Sequence, residues 1–328
     1  MKILLTRRLH DFAIKELRRK YQVEIYTGKV PMQKDLLVSK IKDKDGLICY
    51  PYDKIDADVI NAGTKLRAIS TFSVGYDHID ISAATQRGIV VSYTPEVLTK
   101  ATADLTMALM LDLFRRVNEG DRLIRKGKWK TILGPYEFLG SDLPGKTLGI
   151  FGMGRIGMAV AKRALGFEMK ILYHNRKQIS PQKEKSLNAK HVSLDELFRR
   201  SDVVSIHAPH TQKTHEIVNF RLLKKMKKTS FLVNTARGKI INEKDLAIAL
   251  KRKIISGAAL DVFQNEPIGV SNPLTKLTNV LITPHIGSAT VETRREMAEI
   301  AVKNLILSLA GKRPIYQVKV ESSHLGLS

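Results

Sequence analysis

The feature that most constrains this chain is a glycine pattern and where it falls. Gly152, Gly154 and Gly157 make a G-x-G-x-x-G turn, with the apolar run Thr147–Phe151 before it and a helical pattern over 156–165 after it. Strand, tight turn and helix are the opening of a βαβ unit. The first glycine permits the turn, the second lets a ligand approach the backbone, and the third lets helix and strand pack closely. The first turn of the helix offers unpaired N–H groups and a partial positive charge, a seat for a pyrophosphate. A glycine turn that binds nothing is the alternative, and the flanking strand and helix weigh against it. Such a turn normally opens its domain at the first strand. Here it comes only after 151 residues, so another unit must precede it. At roughly 150 residues per domain, a 328-residue chain has room for two.

The preceding segment also alternates strand and helix signals. Short apolar runs at 2–6, 22–26, 46–50, 67–70 and 89–92 are separated by turn chemistry or helical patterns such as 11–20. A long helical pattern runs from Thr99 toward Lys126, carrying Leu105, Leu109 and Leu113 and then Leu123 and Ile124, and Gly127 and Trp129 end it. After the turn at Leu143–Pro144–Gly145, strand signals recur at 147–151, 170–173, 203–207, 231–234, 255–260 and 280–283. An amphipathic helix over 290–309 closes the series and could cover either unit. Strands alternating with helices argue α/β architecture with parallel sheets.

Charge narrows the partners. Lys and Arg number 55 against 32 acidic residues, a net charge of +23. The basic residues are scattered, and no aromatics interleave with the short clusters at 224–228 and 251–253 as a nucleic-acid stacking platform requires. The expectation is a solvated surface whose field attracts small anions, not a nucleic-acid interface. No apolar run is long enough to span a membrane. The apolar stretch at the N-terminus is too short for a signal peptide. Cys49 is the only cysteine, so no internal disulfide forms and a cytoplasmic location is expected.

The run after the glycine turn bears on the ligand. An NAD site places Asp or Glu about 20 residues on, against the ribose 2′-hydroxyl. Asn175 stands there, 23 residues past Gly152, followed by Arg176 and Lys177. A carboxylate would repel a 2′-phosphate, whereas a guanidinium binds one bidentately. NADPH is therefore expected in preference to NADH, unless Arg176 and Lys177 are ordinary loop charges.

Three more segments follow strand signals of the second series. They are Asn234-Thr-Ala-Arg-Gly238, Asp261-Val-Phe-Gln-Asn-Glu-Pro267 and Thr283-Pro-His-Ile-Gly287. Ligands bind at the carboxyl ends of parallel strands, so Arg237, Glu266 and His285 can converge. Together they suit reduction of a 2-keto acid. Arg237 matches a carboxylate, a protonated His285 can supply the proton, and Glu266 favours and orients that charged imidazole. Taken singly, each has a plain structural reading: a surface contact, a turn before Pro267, or a structural histidine. His207, His210 and His215 cluster in sequence, but without a familiar metal-ligand spacing, so no metal site is expected.

Over essentially the whole chain the combination resembles the D-isomer-specific 2-hydroxyacid dehydrogenase family. The resemblance rests on Val74-Gly-Tyr-Asp77, Gly152 to Gly157, Asn234-Thr-Ala-Arg-Gly-Lys239, Ala259 to Pro267 and Pro284-His-Ile-Gly-Ser288. Tyr93-Thr-Pro-Glu-Val-Leu98 and His285-Ile-Gly-Ser-Ala-Thr290 look like its glyoxylate/hydroxypyruvate reductase branch, which commonly uses NADPH. The resemblance implies a Rossmann cofactor domain over 99–287, inserted in a flavodoxin-like substrate-binding domain over 1–98 and 288–328. Both are doubly wound parallel sheets, with the substrate in the cleft and hinges near Leu98 and Ser288. It implies that Arg237 binds and polarises substrate, that Glu266 supports His285, and that His285 donates the proton. Val74 and Gly75 would hold the carboxylate through their N–H groups. Arg155 and Ile156 belong to the phosphate turn. Pro209 would line the adenine pocket, and Asp261, with Thr235 and Thr102 nearby, would orient the nicotinamide carboxamide. A homodimer joined through the long helix near 100–127 is implied too. Lactate-type and phosphonate-type dehydrogenases, and a non-catalytic cofactor-sensing corepressor, remain as alternatives. The missing tails weigh against the corepressor, and the missing regulatory extension weighs against the long phosphoglycerate dehydrogenases.

Overall fold

The computed structural model describes residues 1–319. The part of the expected substrate domain at 320–328 lies outside the described residues. The chain divides into two compact units, one made of Met1–Leu98 plus the segment from Ala289 onward, the other of Thr99–Ser288.

The first unit holds a five-stranded parallel sheet of β1 (Lys2–Leu5), β2 (Gln22–Ile25), β3 (Gly46–Cys49), β4 (Ala68–Thr71) and β5 (Val90–Ser92), in the order β2-β1-β3-β4-β5. That is the flavodoxin-like winding. β3 and β4 are buried at every position, as strands covered on both faces are, and the two polar residues of β4, Ser70 and Thr71, are hydrogen-bonded. One cover is the final helix, Val291–Leu309. Leu305 and Leu309 press on Gly46, the Ser70 hydroxyl donates to the Ala301 carbonyl at 2.9 Å, and the Asn304 amide donates to the Tyr93 carbonyl at 3.0 Å. This helix therefore belongs to the first sheet.

The second unit holds seven parallel strands: β6 (Thr147–Phe151), β7 (Lys170–His174), β8 (Ala189–His191), β9 (Val203–Ile206), β10 (Phe231–Asn234), β11 (Gly257–Leu260) and β12 (Val280–Ile282). Their order is β12-β11-β10-β9-β6-β7-β8, the Rossmann winding, with its switch point between β6 and β9. β8 is only three residues long and carries no apolar alternation, so the sequence does not announce it. The expected single helix from 99 to 126 is two helices, Thr99–Arg115 and Val117–Arg125. Arg116 breaks it with a left-handed φ of +56°. Its guanidinium holds that conformation by pairing with Glu119, stacking on Phe138 and donating to the Leu139 carbonyl.

Register fixes where function can sit. Phe151, Ile206, Asn234, Leu260 and Ile282 are hydrogen-bonded neighbours in one row across the sheet. The glycine turn and all three segments bearing Arg237, Glu266 and His285 leave the sheet from this row.

Candidate active site

At the end of β6, two glycines are forced by packing and one is not. Gly152 has φ +101°, and a Cβ there would lie 2.3 Å from the Ala208 nitrogen. A Cβ on Gly157 would lie 2.4 Å from the Gly152 carbonyl oxygen. Gly154 has nothing within 4 Å on that side, and it caps the helix Arg155–Leu165 without a side-chain acceptor. Open space thus meets the first turn of this helix, a fit for the pyrophosphate of a dinucleotide.

The end of β7 carries no carboxylate. The Asn175 side-chain oxygen instead accepts from the Met153 N–H at 2.7 Å and ties this strand to the glycine turn. His191 Nε2 bonds the Asn175 carbonyl at 3.2 Å, and His174 and His191 stack at 5.9 Å. Arg176 and Lys177 follow and are exposed.

Past β9, Pro209 is exposed, and its carbonyl accepts from the Thr214 hydroxyl at 2.8 Å. His207 bonds Ser205 Oγ at 2.8 Å through Nε2, while its buried Nδ1 has no partner among the described residues. Burial pulls its pKa down to about 3, so the ring is neutral at pH 7. His210 and His215 bond one another at 3.2 Å. Among the described residues no three His, Cys, Asp or Glu side chains converge as metal ligands would.

Asp261, at the end of β11, is 1% exposed, and its carboxylate accepts three hydrogen bonds. They come from Thr283 Oγ1 at 2.6 Å, Ile286 N–H at 2.8 Å and Gly287 N–H at 2.8 Å. Burial raises its pKa, opposed by these donors and by His285. Asp261 therefore pins the turn on both sides of His285. That turn needs pinning, because His285 itself has φ +54°, a conformation costly for a non-glycine residue. Beside Asp261, Thr102 packs at Gly287, and the Thr106 hydroxyl joins the two elements by bonding the Thr102 carbonyl at 2.8 Å and Thr235 Oγ1 at 2.9 Å. Neither Thr283 nor Thr106 could be found from sequence, since a lone hydroxyl carries no spacing signal.

Glu266 and His285 meet directly. His285 Nδ1 lies 2.7 Å from Glu266 Oε2, and Glu266 Oε1 accepts from the Phe263 N–H at 2.8 Å. Both side chains are largely buried, which strengthens the pair relative to an exposed one. Arg237 stands in the adjoining turn. Its carbonyl accepts from the Asn234 amide at 3.0 Å, and its Nη1 donates to the Ala236 carbonyl at 2.8 Å. The next residue, Gly238, abuts Phe263 so closely that a Cβ would lie 1.9 Å from the Phe263 carbonyl carbon. The Arg237 turn and the Glu266 loop are thus one packed body.

In the first unit, Val74 and Gly75 lie in the turn after β4. Thr71 Oγ1 bonds Ser73 Oγ and His78 Nε2, both at 3.0 Å, and Ser73 Oγ donates to the Gly75 carbonyl. Among the described residues neither the Val74 nor the Gly75 N–H is spent on a protein acceptor. Two adjacent backbone donors of this kind suit an anion.

The comparisons agree with this geometry. A family model described as D-isomer specific 2-hydroxyacid dehydrogenase, NAD binding domain, matches residues 107–287. The glyoxylate reductase of Thermofilum pendens is 46% identical over 314 residues, covering 95% of this chain and 93% of that protein. A crystal structure from Thermus thermophilus superposes with a TM-score of 0.90 at 46% identity, covering 97% of this chain and 100% of that one. An NADPH-dependent glyoxylate/hydroxypyruvate reductase of Sinorhizobium meliloti, solved with NADP and malonate, gives a TM-score of 0.85 at 30% identity, covering 97% and 96%. By sequence over nearly its full length and by the winding of both its sheets, this chain belongs to the D-isomer-specific 2-hydroxyacid dehydrogenase family.

Proposed function

We propose that this protein reduces glyoxylate and hydroxypyruvate to the D-2-hydroxy acids with a nicotinamide dinucleotide, NADPH in preference to NADH. The observation that carries the reading is the 2.7 Å contact of Glu266 with His285, at the row of strand ends that also bears the glycine turn. The names of the relatives support the substrate class. Residues 99–287 are read as the dinucleotide-binding domain, and residues 1–98 and 288–328 as the substrate-binding domain.

When bound, the reduced nicotinamide supplies a hydride to the carbonyl carbon. The chain's own groups do the rest. The N–H groups of Val74 and Gly75 and the guanidinium of Arg237 hold the carboxylate, and Arg237 also polarises the carbonyl. Bonding of Nδ1 to Glu266 directs Nε2 of His285 to the substrate, where it gives its proton to the carbonyl oxygen. Asp261, with Thr235 and Thr102 nearby, would orient the nicotinamide carboxamide. Pro209 lines the adenine side, and Arg176 and Lys177 take the 2′-phosphate where an NAD site would carry an acid.

A homodimer is part of the same reading, in keeping with the apolar side chains left bare on the arm after the long helix. Ile132 is 93% exposed, Tyr136 88%, Leu139 59% and Trp129 56%. Large apolar side chains bared so close together in sequence suit a partner surface. Cys49 is buried and unpaired, which suits a reducing cytoplasm.

Steady-state reduction of glyoxylate, hydroxypyruvate and pyruvate, each with NADPH and NADH, is the test. Fast turnover of the first two with NADPH is expected. Turnover of pyruvate alone would move the chain to the lactate-type enzymes, and faster turnover with NADH would remove the role given to Arg176.

A further inference from the structure

Behind the Glu266–His285 pair lies a second set of carboxylates that no motif marks. Glu243, the first residue of the helix Glu243–Lys251, accepts the Gln264 N–H through Oε1 and the Asn272 side-chain amide through Oε2 at 3.0 Å. Glu216 accepts the Gln264 side-chain amide at 2.7 Å through Oε1 and the Asn242 amide at 2.9 Å through Oε2. The same Gln264 amide also donates to the Ile241 carbonyl at 3.0 Å. Among the described residues neither carboxylate has a Lys or Arg partner. All four oxygens are spent on amides, and both backbone and side chain of Gln264 are fastened.

Gln264 follows Phe263, whose N–H fixes Oε1 of Glu266. Glu216 in turn donates its own N–H to the Lys239 carbonyl at 2.8 Å, two residues past Arg237. The clamp therefore grips both loops that Gly238 and Phe263 press together. Loop residues have no strand ladder to hold them, so their backbone placement depends on such side-chain bonds.

We propose that Glu243, with Glu216, is a positioning residue that sets Glu266, and through it the orientation of the His285 imidazole. Neither glutamate is assigned contact with substrate or cofactor. The kinetic part of the inference rests on the proposed reductase reading. Glu243→Ala frees the Gln264 N–H, and the adjoining Phe263 N–H that anchors Glu266 is no longer held in place. A carboxylate misplaced by an ångström behind a proton donor costs about 10- to 100-fold in rate. The expected result is a fall in kcat of about that size, with KM for glyoxylate and the Kd of NADPH each within about threefold of wild type. Glu243→Gln retains a side-chain oxygen to accept the Gln264 N–H and restores most of the lost turnover.

A readout without turnover keeps the inference separate from the substrate assignment. The hydrogen-bonded Nδ1 proton of His285 gives a low-field proton resonance, assigned by its loss in Glu266→Gln. It should move upfield or broaden in Glu243→Ala and return in Glu243→Gln. An unmoved resonance with normal kcat in Glu243→Ala would overturn the proposal. So would a Glu243→Gln variant as impaired as alanine, or a loss of NADPH affinity matching the loss of kcat. If the wild type reduces no 2-keto acid, the reductase reading fails, and the resonance alone decides the clamp.

Discussion

At the residue scale, three side chains invite direct tests. His285→Ala removes the proposed proton donor and should lower kcat at least ~10²-fold, while NADPH binding, followed by its fluorescence, stays near normal. Arg176→Ala should raise KM for NADPH about tenfold and leave that for NADH unchanged, shifting the preference measured in parallel assays. His207 gives a stability test. Unfolded, it takes up a proton near its ordinary 6.5; folded, burial delays uptake to about 3. In between, the unfolded state binds the extra proton, so stability falls as pH falls. The His207 share of that slope is about 1.4 kcal/mol per pH unit at most. Urea unfolding of wild type and His207→Gln at pH 7 and 5 should show the shallower dependence in the variant. The placement of Arg237, Glu266 and His285 past strand ends was legible in sequence because each sits in a distinctive run after a strand signal. The left-handed backbone of His285 and its three-bond anchor on Asp261 were not, because those contacts join positions 22 to 26 residues apart with no periodicity between them.

At the element scale, the glycine turn separates packing from binding. Gly152→Ala forces a side chain against the Ala208 backbone at positive φ, and should destabilise the protein by about 2–4 kcal/mol in denaturant unfolding. Gly154→Ala meets nothing, so the fold should survive with an unchanged unfolding midpoint while NADPH affinity drops. Equal destabilisation by both would deny Gly154 its place at the phosphates. Strands β1, β6 and β10 were legible because buried parallel strands are unbroken apolar runs bounded by turns. β8 escaped because Ala189–His191 has no such run. The break at Arg116 escaped because helical periodicity continues on both sides, while what stops the helix is Glu119, Phe138 and Leu139 gripping one guanidinium.

At the scale of the whole molecule, the excess of positive charge acts as a field. With +23 on the chain, kcat/KM for glyoxylate should fall about three- to tenfold between ~10 mM and ~0.3 M salt, as steady-state rates at fixed pH will show. The apolar arm carries the assembly test. If the proposed homodimer forms through it, Ile132→Glu together with Tyr136→Glu should halve the mass seen in sedimentation, to the 36.8 kDa of one chain. The division into two units was foreshadowed by the late position of the glycine turn, whereas the amphipathic pattern of the last helix suits either sheet and only the family resemblance assigned it to the first. The structure gives it to the first sheet, through Ser70, Gly46 and Asn304. That ownership sets an order of birth. During synthesis, the first unit is begun first yet lacks the cover over β3 and β4 until residue 309 has left the ribosome. The second unit has every strand in hand by residue 282 and its last residue by 288. The part of the protein started second is thus the first that can finish folding, and the earlier part must wait, with β3 and β4 uncovered on one face, for the chain to return.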